Sequence, residues 1–125
     1  MGLFDNLLGN ASKANIDDIN KNYAKLLATN EVIQQAYKIF RDLFIFTDKR
    51  LIIVDKQGLT GKKTTYHSIP YKSIKHFSIE TAGNFDLDAE LKIWISGMDT
   101  PISYKFDKNL NIYQVQSILA KYVLR

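Results

Sequence analysis

The sequence predicts a mainly β domain of about seven strands, closed by a C-terminal helix and preceded by a short helical segment. Three observations carry that prediction. From Glu31 onward apolar residues alternate or form short runs bounded by turn residues. After Asp107 the spacing changes to that of an amphipathic helix. Before Glu31 the apolar residues also fall at helical spacing. The organisation expected is therefore a helical extension over residues 1–30 and one β domain over residues 31–125.

At the start of the chain, Leu3, Phe4, Leu7 and Leu8 form one stripe on a short helix that Gly9-Asn10 would end. A second helix is expected from Asn15, with Ile16, Ile19, Tyr23, Leu26 and Leu27 on one side and Thr29-Asn30 as its stop. Asn15 is a suitable N-cap, and Asp17 and Asp18 suit the positive end of the helix dipole. Neither helix is long enough to persist alone, so each must pack on something.

Strands are expected at 32–40, 42–47, 50–55, 63–69, 73–81, 88–96 and 101–107. Arg41 falls in a very tight turn, Lys56–Lys62 in a loop with two glycines, and Thr81–Asp86 and Ser96–Thr100 in further turns. The polar tetrad Thr47-Asp48-Lys49-Arg50 between two apolar runs marks a hairpin. Leu91, Ile93 and Ile95 take one face of their strand, while Glu90, Lys92 and Trp94 take the other. Ile102, Tyr104 and Phe106 likewise oppose Ser103, Lys105 and Asp107. The last helix carries Ile112, Val115, Ile118, Leu119, Tyr122 and Val123 on one side, with Asn109 or Asn111 as N-cap.

Leu43–Phe46 and Leu51–Val54 break the alternation, being apolar on both sides. Strands of that kind expect cover on both faces. One face meets the domain core; the other expects the N-terminal helices or a second subunit. The dock is either Phe44/Phe46 with Ile52/Val54, or the alternative face with Leu43/Ile45. Phe44, Phe46, Ile52 and Val54 are accordingly candidate interface residues, joined by Trp94 on an otherwise polar strand face.

Cysteine is absent, which removes disulfides, thiol catalysis and thiolate metal sites and suits a reducing cytoplasm. No apolar run approaches a membrane span, and the N-terminus has neither the basic nor the apolar region of a secretory signal. Met1-Gly2 invites N-myristoylation, but Asn6 stands where that motif needs Ser or Thr. Charge is polarised: Lys38–His76 holds nine basic residues against three acids, and Phe77–Asp99 holds five acids against Lys92 alone. Such a split can steer one copy onto another or present a basic patch to anions.

No constellation points to catalysis or to a cofactor. His67 and His76 have no metal-ligand spacing, and none of the serines sits in a nucleophile elbow. Asp86, Asp88 and Glu90 share one strand face but lack the glycine and closing glutamate of a calcium loop. Gly58–Lys63 has the wrong spacing for a phosphate loop and lies between strands. The candidate anion or partner contacts are Lys38, Arg41, Lys62 and Lys63. Nucleic acid is disfavoured, since no arginine-rich run or recognition-helix pattern occurs and the aromatics Tyr66, Tyr71 and Phe77 fall at strand period.

The strand Thr47-x-x-Arg50-Leu51-Ile52 and the segment Ile69-Pro70-Tyr71-x-x-Ile74 resemble the bacterial pleckstrin-homology (PH) domain family. The resemblance covers about residues 31–125 and implies two roughly orthogonal antiparallel sheets with a helix plugging an open corner. It also implies a scaffold for binding and assembly, with family members that look like ring-forming oligomers. Eukaryotic relatives often bind phosphoinositides near the first hairpin. Here Lys38 and Arg41 stand at that hairpin, but its turn is too short for a deep pocket, which argues against phosphoinositides or a membrane surface as the partner. The expectation is a non-catalytic module that forms homo-oligomers through sheet edges and apolar strand faces. Its rival is a module binding anionic head groups or an acidic protein through residues 38–76.

Overall fold

The computed structural model describes residues 16–39, 42–57, 63–81, 89–106 and 112–124. The first expected helix, Arg41, Lys62 and both proposed caps of the last helix lie outside the described residues. The chain divides into two compact units, Met1–Ile69 and Pro70–Arg125.

In the first unit, helix α1 (Ile16–Tyr23) runs into a single 3₁₀ turn (Ala24–Leu26). Asp17 and Asp18 lie in its first turn and Lys21 in its last, so both ends complement the helix dipole. Four antiparallel strands follow, hydrogen-bonded in sequence order: β1 (Ile33–Ile39), β2 (Asp42–Thr47), β3 (Arg50–Gln57) and β4 (Lys63–Pro70). Consecutive hairpins explain that order, since each short connection returns the chain beside itself.

Register decides which side of this sheet receives the helix. Leu43 pairs with Val54 and Ile45 with Ile52, so these four share one face. Phe44 pairs with Ile53 and Phe46 with Leu51, on the opposite face. Ile19 packs among Ile33, Ala36, Leu43, Ile45, Ile52 and Val54, with Ile16, Tyr23, Leu26 and Leu27 at the margin. The helical dock is therefore the Leu43/Ile45 side, joined by Ile52/Val54, on the same copy. Grouping Phe44 and Phe46 with Ile52 and Val54 is corrected by this pairing. On the other face Phe46 meets Tyr37 edge-on at 6.0 Å and lies 6.5 Å from Phe44, all three fully buried.

The second unit opens with a 3₁₀ turn (Tyr71–Ser73), then β5 (Ile74–Glu80), β6 (Ala89–Ile95) and β7 (Ile102–Phe106) in an antiparallel sheet with β6 at its centre. Residues 89, 91, 93 and 95 of β6 are buried and 90, 92 and 94 half-buried, as the alternation predicts. Gly97 takes φ +86° in the β6–β7 turn, which Met98 closes by donating its N–H to the Ile95 carbonyl (3.1 Å). Helix α2 (Ile112–Val123) buries Ile112, Val115, Leu119 and Tyr122, and Tyr122 stacks on Tyr71 at 4.8 Å. The 3.6-residue period lays those four along one stripe, which is why this helix packs on its own unit.

Candidate binding surfaces

Thr47 and Arg50, the fixed residues of the hairpin motif, converge on one buried carboxylate. Glu31 sits just before β1, after a turn in which Asn30 adopts φ 67°, a conformation asparagine tolerates. Its Oε1 accepts from the Ala28 N–H (2.9 Å) and Arg50 Nη2 (3.0 Å). Its Oε2 accepts from Thr47 Oγ1 (2.6 Å) and Arg50 Nε (2.9 Å). All four acceptor positions of the carboxylate are thereby used. Arg50 also donates to the Leu26 carbonyl and, through Nη1, to Ser68 Oγ (2.7 Å). One guanidinium thus ties the end of the helical segment, the entry to β1, its own hairpin and β4. Burial pushes the Glu31 carboxyl up, but the bonds from Arg50, Thr47 and Ala28, with the Arg50 charge, outweigh it and hold the pKa at about 2. Thr47 Oγ1 additionally accepts from the N–H groups of Lys49 and Arg50, which shapes the turn. The sequence reading missed Glu31. Its signal is a lone acid immediately before the first strand, at a position that pairing of Ile33 with Thr47 brings to the hairpin.

The second arrangement lies on the polar face of the three-stranded sheet. Ile74 pairs with Ile95, but His76 pairs with Trp94, so a bulge at Lys75 shifts the register by one. The bulge sets His76 across from Trp94, where the rings stack at 4.3 Å with 22° between planes. Beyond Trp94 the paired residues are Ser78 with Lys92 and Glu80 with Glu90. A depression of about 350 Å³ lies there, lined by Ser78, Ile79, Glu80, Glu90, Lys92 and Trp94.

The other sequence candidates fall as follows. Phe44, Phe46, Ile52 and Val54 are at most 1% exposed within a single chain, so they hold this chain together and offer no surface to another. Trp94 alone of the interface candidates reaches solvent, half-buried. Lys38 and Lys63 are exposed, but they stand on β1 and β4, the two opposite edges of the sheet. Three strand spacings separate those edges, about 14 Å, so the two do not form one anion cradle. Among the described residues no three His, Asp or Glu side chains gather as metal ligands. No described helix is long and apolar enough to cross a membrane.

The sheets and the hairpin network define a PH-like architecture: four antiparallel strands, then three, then a C-terminal helix. The comparisons agree. The chain belongs to the bacterial PH domain family, whose model matches residues 2–123 and so takes in the helical segment as well. It is similar to the uncharacterised protein YjqA of Bacillus subtilis (strain 168), 56% identical over 96% of this chain and 97% of that protein. YozO of the same organism, also uncharacterised, is 33% identical over 82% of this chain and 88% of its own length. Among solved structures it is similar to a DUF1696 family protein with a pleckstrin-homology domain from Shewanella loihica PV-4. That match has a TM-score of 0.84 and 47% identity, over 92% of this chain and 98% of the other. A pleckstrin homology domain from Shewanella amazonensis SB2B gives a TM-score of 0.83 and 50% identity, over 98% and 99%.

Proposed function

We propose that this chain is a non-catalytic binding and assembly module that associates with copies of itself by strand pairing. The observation that carries the reading is β4. It is an edge in the hydrogen-bond order of the four-stranded sheet, and Ile69 is the one buried side chain among its eight residues. Its sequence Lys63-Thr-Thr-Tyr-His is rich in residues that suit a strand, and Tyr66 is 49% exposed at its middle. An exposed edge of this kind presents unpaired backbone groups that a second strand can satisfy. The polarised charge of the chain favours a fixed orientation between copies. The anion-binding alternative draws less support, because Lys38 and Lys63 stand apart.

Light scattering on the whole chain at micromolar concentration tests the reading. The expected result is a mass above the monomer, falling to the monomer in Tyr66→Lys, since an edge lysine blocks strand addition. A clean monomer mass for the unaltered chain would overturn it.

A further inference from the structure

We infer that the depression beside Trp94 receives the side chain of an arginine presented by a protein partner. It is a different surface from the β4 edge.

The geometry builds the site in three parts. Trp94 forms a wall whose one ring face is stacked by His76, and His76 takes no part in lining the depression. The stack with His76 holds the indole in place at one end of the depression. Opposite that wall, Glu80 and Glu90 are direct cross-strand partners on one sheet face. Such partners have Cβ atoms about 5 Å apart, where like charges destabilise the sheet. Glu90 accepts a hydrogen bond from Ser103 Oγ (2.6 Å) and faces Lys105 across β7. Glu80 has no hydrogen-bond or ion-pair partner among the described residues. A cation held between the two carboxylates would relieve their repulsion. Between wall and carboxylates, Lys92 stands opposite Ser78.

This order of groups matches one occupant. An arginine can lay its alkyl stem and the edge of its guanidinium on the indole, while its fork donates to the carboxylates. Glu80 and Glu90 outnumber Lys92 in the lining, so it keeps a net negative charge for the guanidinium to meet. A lysine ammonium would meet the carboxylates as a point charge without the planar fork or the stacking. An acidic side chain would meet two carboxylates at the far end. The volume, about 350 Å³, is at the small end for ligand pockets. It suits one long side chain on an open sheet face.

Trp94 is the only tryptophan, so its fluorescence reports the site directly. The whole chain is titrated with capped Gly-Arg-Gly at constant ionic strength, beside the same tripeptide carrying citrulline or glutamate. The expected result is a saturable change for arginine, weakened by added salt. Binding should be about tenfold weaker for citrulline and in Glu80→Gln, the worth of one charge-assisted hydrogen bond. Glu80 is exposed and Glu80→Gln removes one of two like charges, so the variant should keep its circular dichroism and a Tm no lower than that of the unaltered chain. No saturable change with arginine, equal binding of citrulline, tighter binding of glutamate, or full affinity in a folded Glu80→Gln would each overturn the inference. A monomer mass in light scattering leaves this titration unaffected, so the two readings fail separately.

Discussion

Arg50 Nε lies 2.9 Å from Glu31 Oε2, with the Glu31 side chain 1% exposed and that of Arg50 25% exposed. The pair is asymmetric, because the acid is enclosed while the base keeps an edge in water. Removing the base should therefore cost more than removing the acid. Arg50→Met strands a buried carboxylate and is expected to lower unfolding free energy by about 3–5 kcal/mol. Glu31→Gln leaves a guanidinium that solvent still reaches, and about 2 kcal/mol is expected. The double variant Glu31→Gln/Arg50→Met should cost less than the sum, since neither charge is left alone. Urea unfolding of the four proteins measures this cycle. Additive losses would show that the two side chains act independently.

The same carboxylate sets a pH dependence. Its folded pKa of about 2 lies below its ordinary 4.5. The stability it contributes is complete above the unfolded value and is lost as pH falls from about 5 through about 2. The shift corresponds to roughly 3 kcal/mol over that window. Urea melts at pH 7, 4 and 3 should show that decline in the unaltered chain and a shallower one in Glu31→Gln. Parallel declines would place the acid sensitivity elsewhere.

Strand boundaries were legible in the sequence wherever one face is buried and the other wet. Leu91, Ile93 and Ile95 alternate with Glu90, Lys92 and Trp94, and the burial of β6 follows that pattern. What the sequence concealed depends on register. Thr47 and Arg50 announce a hairpin, but their partner Glu31 lies 16 and 19 residues away and is found only through strand pairing. The bulge at Lys75 leaves no mark in composition, yet it determines that His76 meets Trp94. Apolar runs such as Leu43–Phe46 signal two buried faces without saying which residues share one, a choice made by the β2–β3 register. Lys38 and Lys63 look like parts of one basic region along the chain, and the strand order parts them.

Tyr37 offers a test of the opposite face. Its hydroxyl is buried and finds no hydrogen-bond partner among the described residues, and burial pushes its pKa up to about 12. A buried hydroxyl left unsatisfied costs about 1–3 kcal/mol. Tyr37→Phe keeps the ring against Phe46 and removes that cost, so stability should be unchanged or raised by about 1 kcal/mol. It should also remove a loss of stability as pH rises from about 10 towards 12, because the unfolded phenol ionises first. A clear drop in Tm at pH 7 would mean that the hydroxyl has a partner that matters.

The strongest demand falls on the helical segment. Ile19 is 6% exposed and packs on the face made by Leu43, Ile45, Ile52 and Val54, with Leu26 and Leu27 beside it. Burying an isoleucine or leucine side chain is worth about 1.5–3 kcal/mol, and the segment also supplies the Leu26 carbonyl that Arg50 engages. Deleting residues 1–28 removes all of these at once and leaves an apolar sheet face in water. The expected outcome is aggregation or a fall in Tm of at least 10 °C, since 1 kcal/mol shifts a domain of this size by about 4 °C. Ile19→Asp should act in the same direction more weakly, by forcing a charge against the same face. Deleting residues 1–15 leaves Ile19, Leu26 and Leu27 in place and serves as the comparison. Should the 1–28 deletion remain soluble with the Tm of the 1–15 deletion, the covering role of this segment is wrong and the face is held by something else.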